Sequence, residues 1–407
     1  MPTVEMSTQE QEQAVQKAVE LAEHFARLGP PADKENTFAY DSAPLFKESG
    51  LGGLQVPKEY GGMGGDIWTT CRVISTLAKG DPGIALSYCM HYIMVGIMMG
   101  LLTDEQKKEW LPRFADGDIL CGTFSETRGF GGLADTRAVP QKGGGWKLYG
   151  QKTWATLSEV SDIWSGSATI TDADGKLPED FEERVARESN FIVGLDAPGT
   201  GPGLKIKKTW DAMGMRATGT HTLVFDGFFV PEDGYCGEMR GGIFANLEWA
   251  SLGFASVYWG VARRVYEETR AILREKHSGP IFSADVGADI KSRDIGYIID
   301  GIGEIMYRNE TTARVIQATC RQIIEGADDE WDPSYRPALI GVAKVFSTEN
   351  CIEVAHKAMR LVGGMSYRRG HPLEKLYRDA AAGPYQPLTA DQTYMYFGRL
   401  ELGSDEA

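Results

Sequence analysis

The chain has 407 residues, of which 42% are hydrophobic and 24% are charged, and its formal net charge is −15. These values exclude an intrinsically disordered chain, and the length is sufficient for two or three hydrophobic cores. An acidic protein with no Lys/Arg run longer than two repels phosphate backbones, which argues against nucleic acid as a partner.

The sequence also gives no sign of export, membrane insertion or metal binding. The N-terminal segment lacks the basic and apolar regions of a signal peptide, and the most apolar stretch, 88–102, is interpreted as too short to span a bilayer. Six widely spaced cysteines without a CxxC pair favour reduced thiols, and the six histidines show no metal-ligand spacing. We therefore expect a cytoplasmic protein without membrane association or a metal site.

The first zone of the chain, 1–118, is predicted to be helical. Apolar residues recur at intervals of three and four, and residues 86–102 form a nearly all-apolar helix that should lie at the centre of the fold. Between these helices, the segment VPKEYGGMGGD (56–66) is predicted to be a loop, because its glycines tolerate left-handed backbone conformations.

From 119 to 236 the apolar pattern has a period of two, which is typical of β-strands. Runs such as 146–150 and 222–226 are rich in β-branched and aromatic side chains, and glycine-rich turns interrupt them. This pattern predicts an antiparallel β domain. An insertion near 175–190, with its charged stretch 179–188, is interpreted as a surface helix or loop.

The remainder of the chain, 237–407, returns to helical spacing. Long helices joined by short links pack as an antiparallel bundle. The order of helices, sheet and bundle predicts an α+β fold class with three domains, 1–118, 119–236 and 237–407, and no Rossmann motif follows a strand. The helices of the last domain are predicted at 245–276, 285–325, 337–361 and 390–402.

Five segments, in this order along nearly the whole chain, resemble the acyl-CoA dehydrogenase superfamily of FAD enzymes. They are VPKEYGGMGG, CGTFSETRGFGGLAD, YGQKTWATLSEVSDIW, MGMRATGTHTLVFDGFFVPED and ALIGVAKVFSTENCIEVAHKAMRLVGGMSYRRGHPLEKLYRDA. The resemblance implies an N-terminal helical domain, a middle antiparallel β-sandwich or barrel, and a C-terminal four-helix bundle. It also implies FAD as cofactor, with FMN possible in a monooxygenase, and a homodimer or homotetramer.

A flavin ring requires an aromatic or apolar wall and hydrogen-bond partners along its polar edge. Trp154 and Thr156 are two residues apart in a predicted strand, so both can face one ligand while Ala155 faces the other layer. Taken alone, this pattern also fits a sandwich-core tryptophan with a surface threonine. The resemblance places the family's flavin-stacking aromatic residue and N5-side threonine on these two positions, and further ring contacts on Phe124, Ser125 and Ala134.

The resemblance places the nucleotide half of FAD near the C-terminus. Arg360, Gly363 and Gly364 fall on the turn that contacts the adenine nucleotide of FAD bound by a neighbouring subunit, and Thr389 falls on a hydroxyl that contacts the diphosphate. Sharing a cofactor across a boundary implies a homo-oligomer. Alternatively, Arg360 is a helix-end cation favoured by the helix dipole.

Dehydrogenation in this family requires a carboxylate base, which the resemblance places at Pro387 or, in some members, at Ala250. Neither residue can accept a proton. Three other candidates are Asp391, which opens the last helix, Glu248, which lies about 200° around the helix from Ala250, and His91 on the apolar helix. The structural alternatives are a first-turn acid for Asp391, a solvated carboxylate for Glu248 and a hydrogen-bonded core histidine for His91.

Three functions are compatible with these residues. The leading hypothesis is α,β-dehydrogenation of an acyl-CoA or acyl-carrier-protein thioester by a relocated base, with an electron-transfer flavoprotein as partner, although Ser251 replaces the family's substrate-side Arg. The second is a flavin-dependent monooxygenase, which takes reduced flavin from a partner reductase and needs no carboxylate. The third is a non-catalytic flavin-binding protein.

Overall fold

The computed structural model describes residues 6–126, 133–239, 246–278, 290–325 and 336–403, and side chains from 340 onward in the last range. N-terminal helices are followed by a β layer and then by C-terminal helices, as predicted. The described helices are α1 (Thr8–Glu35), α2 (Ser42–Ser49), α3 (Ile67–Gly80), α4 (Pro82–Leu101), α5 (Asp104–Ala115), α6 (Phe181–Arg187), α7 (Leu247–Glu275), α8 (Gly296–Glu325), α9 (Arg336–Val362), α10 (Pro372–Ala380) and α11 (Ala390–Leu402). The strands are β1 (Leu120–Thr123), β2 (Arg137–Pro140), β3 (Trp146–Ala155), β4 (Ile163–Ile170), β5 (Glu188–Gly194), β6 (Leu204–Lys207), β7 (His221–Val230), β8 (Tyr235–Glu238), β9 (His277–Ser278) and β10 (Ile290–Lys291).

Helix α4 is the central helix that the apolar stretch predicts. It begins at a cap in which Asp81 Oδ1 accepts a hydrogen bond from the Ile84 N–H at 3.0 Å, with Pro82 at the first helical position. The helix starts earlier than the 88–102 stretch and has 20 residues, so within the described ranges it alone is long and apolar enough to cross a membrane. Most of it is buried among other elements, which accounts for its composition without a bilayer.

The central sheet has the strand order β6-β7-β3-β2-β4-β5-β8, with β1 paired to β4. Most neighbours are antiparallel as predicted, but β1–β4 and β2–β4 are parallel. The chain reverses between β2 and β3 and again before β4, so β4 runs in the direction of β2 and pairs with its other edge. The charged insertion forms α6, one of the two structures predicted for it.

The C-terminal bundle consists of α7, α8, α9 and α11, and α7 also packs against α3 and α4 of the N-terminal part. Helix α8 begins at Gly296 rather than at 285, because residues 290–294 form a short strand and a 3-10 turn; residues 285–289 lie outside the described ranges. Helix α10 was not predicted. It begins after His371, whose Nδ1 accepts a hydrogen bond from the Leu373 N–H at 3.1 Å.

Candidate active site

A cavity of about 570 Å³ lies where α4, α7, the end of β3 and the segment after α10 meet. Its size is typical of a small-molecule site. Two helical stripes with intervals of three and four form one side: Leu86, Met90, Ile93, Met94 and Ile97 of α4, and Leu247, Ala250, Ser251 and Phe254 of α7. The β layer contributes Gly122, Phe124, Ser125, Thr153, Trp154, Thr156, Thr218 and Thr220. The remaining lining residues are Trp210, Ala212, Met213, Gly214, Met215, Arg378, Ala381, Ala382, Tyr385, Gln386, Pro387 and Leu388.

Trp154 and Thr156 both line this cavity, as predicted, but not through simple alternation. Trp154 has a left-handed backbone (φ 60°), and the pairing of β3 with β7 shifts register between Lys152 and Ala155. Ala155 still faces the sandwich core. The Trp154 side chain is 60% exposed and packs edge-on against the Trp210 ring with centroids 5.5 Å apart, so Trp154 is not a sandwich-core residue.

A chain of hydroxyls fixes the hydrogen-bonding role of Thr156. Thr218 Oγ1 donates to the Met215 carbonyl at 2.9 Å, and Thr220 Oγ1 donates to Thr218 Oγ1 at 2.8 Å. Thr156 Oγ1 lies 2.8 Å from Thr220 Oγ1. Because each hydroxyl has one hydrogen, Thr156 must donate to Thr220 in this arrangement. The Thr156 hydroxyl can therefore act toward a ligand only as a hydrogen-bond acceptor.

Of the other predicted ring contacts, Phe124 and Ser125 line the cavity and Ala134 does not. The Ser125 carbonyl accepts a hydrogen bond from the Thr153 N–H at 2.9 Å, which fixes this segment beside β3. The Ala134 residue is buried, and its N–H donates to Glu188 Oε1 at 3.2 Å. Ala134 thus makes structural contacts within the β domain.

The residues predicted to contact the nucleotide half lie outside the cavity. Arg360 is exposed in the last turn of α9, and Gly364 is exposed just after it. Thr389 caps α11, since its Oγ1 accepts a hydrogen bond from the Gln392 N–H at 3.3 Å. At these surface positions the residues can contact a flavin only if a neighbouring subunit binds it. Their role in flavin binding stays a prediction.

His91 lies in the core rather than at the cavity. Its Nδ1 accepts a hydrogen bond from the Leu120 N–H at 3.1 Å, so the proton is on Nε2, which donates to the Gly52 carbonyl at 3.0 Å. The ring is fully buried, and this burial lowers its pKa to about 4. His91 is therefore neutral and hydrogen-bonded on both sides, as its structural alternative predicts.

The buried imidazole predicts a pH dependence of stability. The pKa of His91 falls from 6.5 in the unfolded chain to about 4 in the folded protein. Below pH 6.5 the unfolded chain therefore takes up a proton that the folded protein does not, and this favours unfolding. On the order of 3 kcal/mol is lost as the pH falls from 6.5 to 4. In urea unfolding, the free energy of unfolding of His91→Asn should fall less steeply between pH 6.5 and 4 than that of the wild-type protein. The exposed His24→Asn is the control, and parallel curves for all three proteins would contradict the assignment.

The two carboxylate candidates also lie away from the cavity lining. Asp391 is exposed in the first turn of α11. Glu248 is on α7 but outside the stripe that faces the cavity, whereas Ala250 is within it, as the 200° separation predicts. The two positions where the resemblance places the base, Pro387 and Ala250, both line the cavity. Neither of these two side chains can accept a proton, and their correspondence to the family's base stays a prediction.

A buried ionic cluster holds one wall of the cavity in place. Lys375 Nζ lies 2.8 Å from Asp81 Oδ2 and 2.7 Å from Asp379 Oδ2, and the other oxygen of Asp379 accepts a hydrogen bond from the Met215 N–H at 2.7 Å. Burial alone would lower the pKa of Lys375, but the two carboxylates outweigh it and raise that pKa. The cluster joins the start of α4, helix α10 and the 213–216 segment.

The lining residues fit a flavin ring better than a metal ion. Trp154 and Phe124 supply aromatic surface, the two helical stripes are apolar, and Ser125, Thr153 and Thr156 supply hydroxyls. No group of three or more His, Cys, Asp or Glu residues that could hold a metal occurs within the described ranges. FAD and FMN share the same ring, so these lining residues fit both cofactors equally.

Three family models of the acyl-CoA dehydrogenases match the chain: the N-terminal domain at 8–118, the middle domain at 129–228 and the C-terminal domain at 301–384. The putative acyl-CoA dehydrogenase YdbM of Bacillus subtilis (strain 168) is 28% identical over 397 residues, covering 94% of each chain. FMN-bound TdsC of Paenibacillus sp. A11-2, a dibenzothiophene monooxygenase, has a TM-score of 0.82 at 20% identity and covers 96% of this chain and 97% of its own. Butyryl-CoA dehydrogenase of Megasphaera elsdenii has a TM-score of 0.80 at 20% identity, with 96% and 98% coverage.

The chain therefore belongs to the acyl-CoA dehydrogenase superfamily and is a flavin-dependent oxidoreductase. This confirms the family, the fold class and the flavin predicted from the five segments. Two proteins of this fold, a dehydrogenase and a monooxygenase by name, match it about equally well. The fold alone does not determine whether the reaction is dehydrogenation or oxygenation. That depends on the residues of the site.

Several lining residues were not predicted as site residues. Thr218, Thr220 and Met215 lie inside the segment MGMRATGTHTLVFDGFFVPED, and Arg378 lies in the last segment, so the resemblance contained a signal for them. The α4 stripe had no such signal. Helix α4 is apolar all round, so its periodicity does not indicate which side faces a ligand.

Proposed function

We propose that this chain is a flavin-dependent monooxygenase, which uses reduced flavin and dioxygen to oxygenate a small organic substrate. The observation that supports this most is that no Asp, Glu or His occurs among the described residues that line the cavity. Pro387 and Ala250, the two positions where the resemblance places the family's base, line the cavity and cannot accept a proton. Dehydrogenation of an acyl thioester requires a base within hydrogen-bond reach of the substrate, whereas oxygen transfer from a reduced flavin does not.

The charge of the cavity also argues against an acyl-CoA substrate. Arg378 is the one Lys or Arg among the described lining residues, and its five N–H groups are all engaged. They donate to Asp33, Glu374 and the Met213 carbonyl, at distances of 2.7–3.2 Å. The acidic partners raise the pKa of the guanidinium, which stays charged and fixed. It is therefore part of the wall, with no free donor for a phosphate of CoA.

In this function the chain binds and shields the reactants. A reduced flavin bound there would supply the two electrons with which one oxygen atom of dioxygen is inserted into the substrate and the other is released as water. Trp154, Phe124 and Ser125 would hold the ring, and Thr156 would accept a hydrogen bond from its N–H edge. The apolar stripes of α4 and α7 exclude water from the reaction space, which protects it against side reactions.

The acceptor role of Thr156 predicts a preference between redox states. Reduced flavin has an N–H group at N5 and oxidised flavin has none, so loss of the acceptor should weaken binding of the reduced form. We expect Thr156→Val to bind reduced flavin roughly 3- to 10-fold more weakly, with little change for oxidised flavin. Anaerobic and aerobic titrations measure the two dissociation constants. Thr171→Val, a buried hydroxyl outside the cavity, is the control, and an equal loss for both redox states would contradict the assignment.

We further propose a flavin reductase as partner and a homodimer or homotetramer as the working assembly. Large side chains exposed on α8 support an interface there: Tyr297 is 66% exposed, Ile299 54% and Tyr307 71%. Light scattering of the purified protein measures the assembly, and a monomer at all concentrations would contradict it. The flavin released on denaturation identifies FAD or FMN.

The experiment that tests the reaction supplies reduced flavin enzymatically. The protein is incubated with a flavin reductase, NADH, air and a panel of small aromatic compounds, and products are analysed by mass spectrometry. We expect a product that has gained one oxygen atom, and only when reductase, flavin, oxygen and this protein are all present. Failure to oxygenate any compound, together with flavin reduction by an acyl-CoA, would favour dehydrogenation instead.

A further inference from the structure

The apolar side of the cavity contains a buried hydroxyl with no partner. Ser251 lies in the α7 stripe, is 1% exposed, and its Oγ makes no hydrogen bond to any other described residue. Its neighbours in the stripe, Leu247, Ala250 and Phe254, are apolar. A buried hydroxyl without a partner is destabilising, so a native structure that retains one requires an explanation.

Other hydroxyls of α7 show that a partner was available within the helix. Ser256 Oγ donates to the Leu252 carbonyl at 2.7 Å and Thr269 Oγ1 to the Val265 carbonyl at 2.6 Å, each four residues back. Ser251 makes no such bond. The threonine hydroxyls of the cavity are also paired: Thr153 donates to the Ser125 carbonyl, and the other three belong to the chain that ends at Met215. Ser251 thus differs from them in having no hydrogen-bond partner among the described residues.

We infer that Ser251 is a specificity residue, which hydrogen-bonds the single polar atom of a neutral, otherwise apolar substrate, such as the hydroxyl of an aromatic alcohol. The inference rests on the proposed function and names its substrate class. The substrate is neutral because the donors of Arg378 are all engaged and no carboxylate lines the described part of the cavity. A charged group would be buried there without a counter-ion, which is strongly unfavourable.

Three probes of one shape test this class: naphthol with one hydroxyl, naphthalene with none, and naphthoate with a charge. Their binding to the flavin-loaded protein is measured by equilibrium dialysis, without turnover. We expect naphthol to bind about 3- to 10-fold more tightly than naphthalene, and naphthoate more than 10-fold more weakly than naphthol. Ser251→Ala should remove the difference between naphthol and naphthalene and leave naphthalene binding unchanged.

Ser256→Ala is the matched control, because it removes a buried hydroxyl of the same helix that is already paired. It should keep the preference for naphthol. The inference is overturned if the preference survives in Ser251→Ala, if naphthoate binds as tightly as naphthol, or if neither neutral probe binds. Because the assay involves no oxygenation, these results remain separate from a failure of the proposed reaction, which the reductase-coupled assay detects.

Discussion

Lys375→Met is expected to lower the free energy of unfolding by about 3–5 kcal/mol, because it leaves two buried carboxylates without their cation. Lys375 lies within 2.8 Å of Asp81 and 2.7 Å of Asp379, which are 2% and 0% exposed. Methionine fills a similar volume, so the loss reports charge rather than packing. The free energy is measured by urea unfolding of both proteins at neutral pH.

The loss of unfolding free energy in Lys375→Met should depend on pH. Burial already raises the pKa of Asp379, and loss of the Lys375 cation removes the main effect that opposes this rise. The variant should therefore regain stability relative to the wild-type protein as the pH falls and the Asp379 carboxyl becomes protonated. Lys357→Met is the control, since its pair with Glu304 is partly exposed and should contribute less than about 1 kcal/mol. Equal losses in Lys375→Met and Lys357→Met would contradict the role of the cluster.

Trp154→Ala is expected to weaken flavin binding by about 10- to 100-fold, which corresponds to the roughly 1–3 kcal/mol of a stacked aromatic pair. The indole is 60% exposed, so its removal should leave the stability of the flavin-free protein nearly unchanged. The dissociation constant is measured by titration of the flavin-free protein with FAD and with FMN.

The matched control for Trp154 is Trp68→Ala. Trp68 is also a partly exposed tryptophan next to another tryptophan, since its ring stacks on Trp259 at 6.1 Å, but it does not line the cavity. We expect unchanged flavin affinity for Trp68→Ala. An unchanged affinity in Trp154→Ala would show that the indole is not the wall of the flavin site.

The sequence predicted those parts of the fold and site that depend on local pattern or on a preserved segment. Helix α11 has the predicted bounds, and Trp154 and Thr156 line the cavity. Simple strand alternation does not explain how Trp154 and Thr156 reach the same cavity, because a register shift and a left-handed residue interrupt β3 at that point. The prediction that both residues face one ligand therefore depended on the family resemblance and not on strand periodicity.

The parts that were not predictable depend on contacts between residues distant in the sequence. The two partners of His91 lie 39 and 29 residues away, and only their positions show that its ring is fully paired. The donors of Arg378 are likewise engaged by residues from three parts of the chain. Asp391 was a candidate base because a first-turn acid and a catalytic acid have the same local sequence, and burial distinguishes them.

The measurement that tests the central claim most directly is anaerobic mixing of the oxidised, flavin-loaded protein with acyl-CoA thioesters of short, medium and long chain length. The visible absorbance of the flavin is followed over time. Because no described residue of the cavity lining offers a carboxylate or imidazole as base, we predict that the absorbance does not change with any thioester. Bleaching of the flavin by any of them would contradict the proposed monooxygenase and establish dehydrogenation.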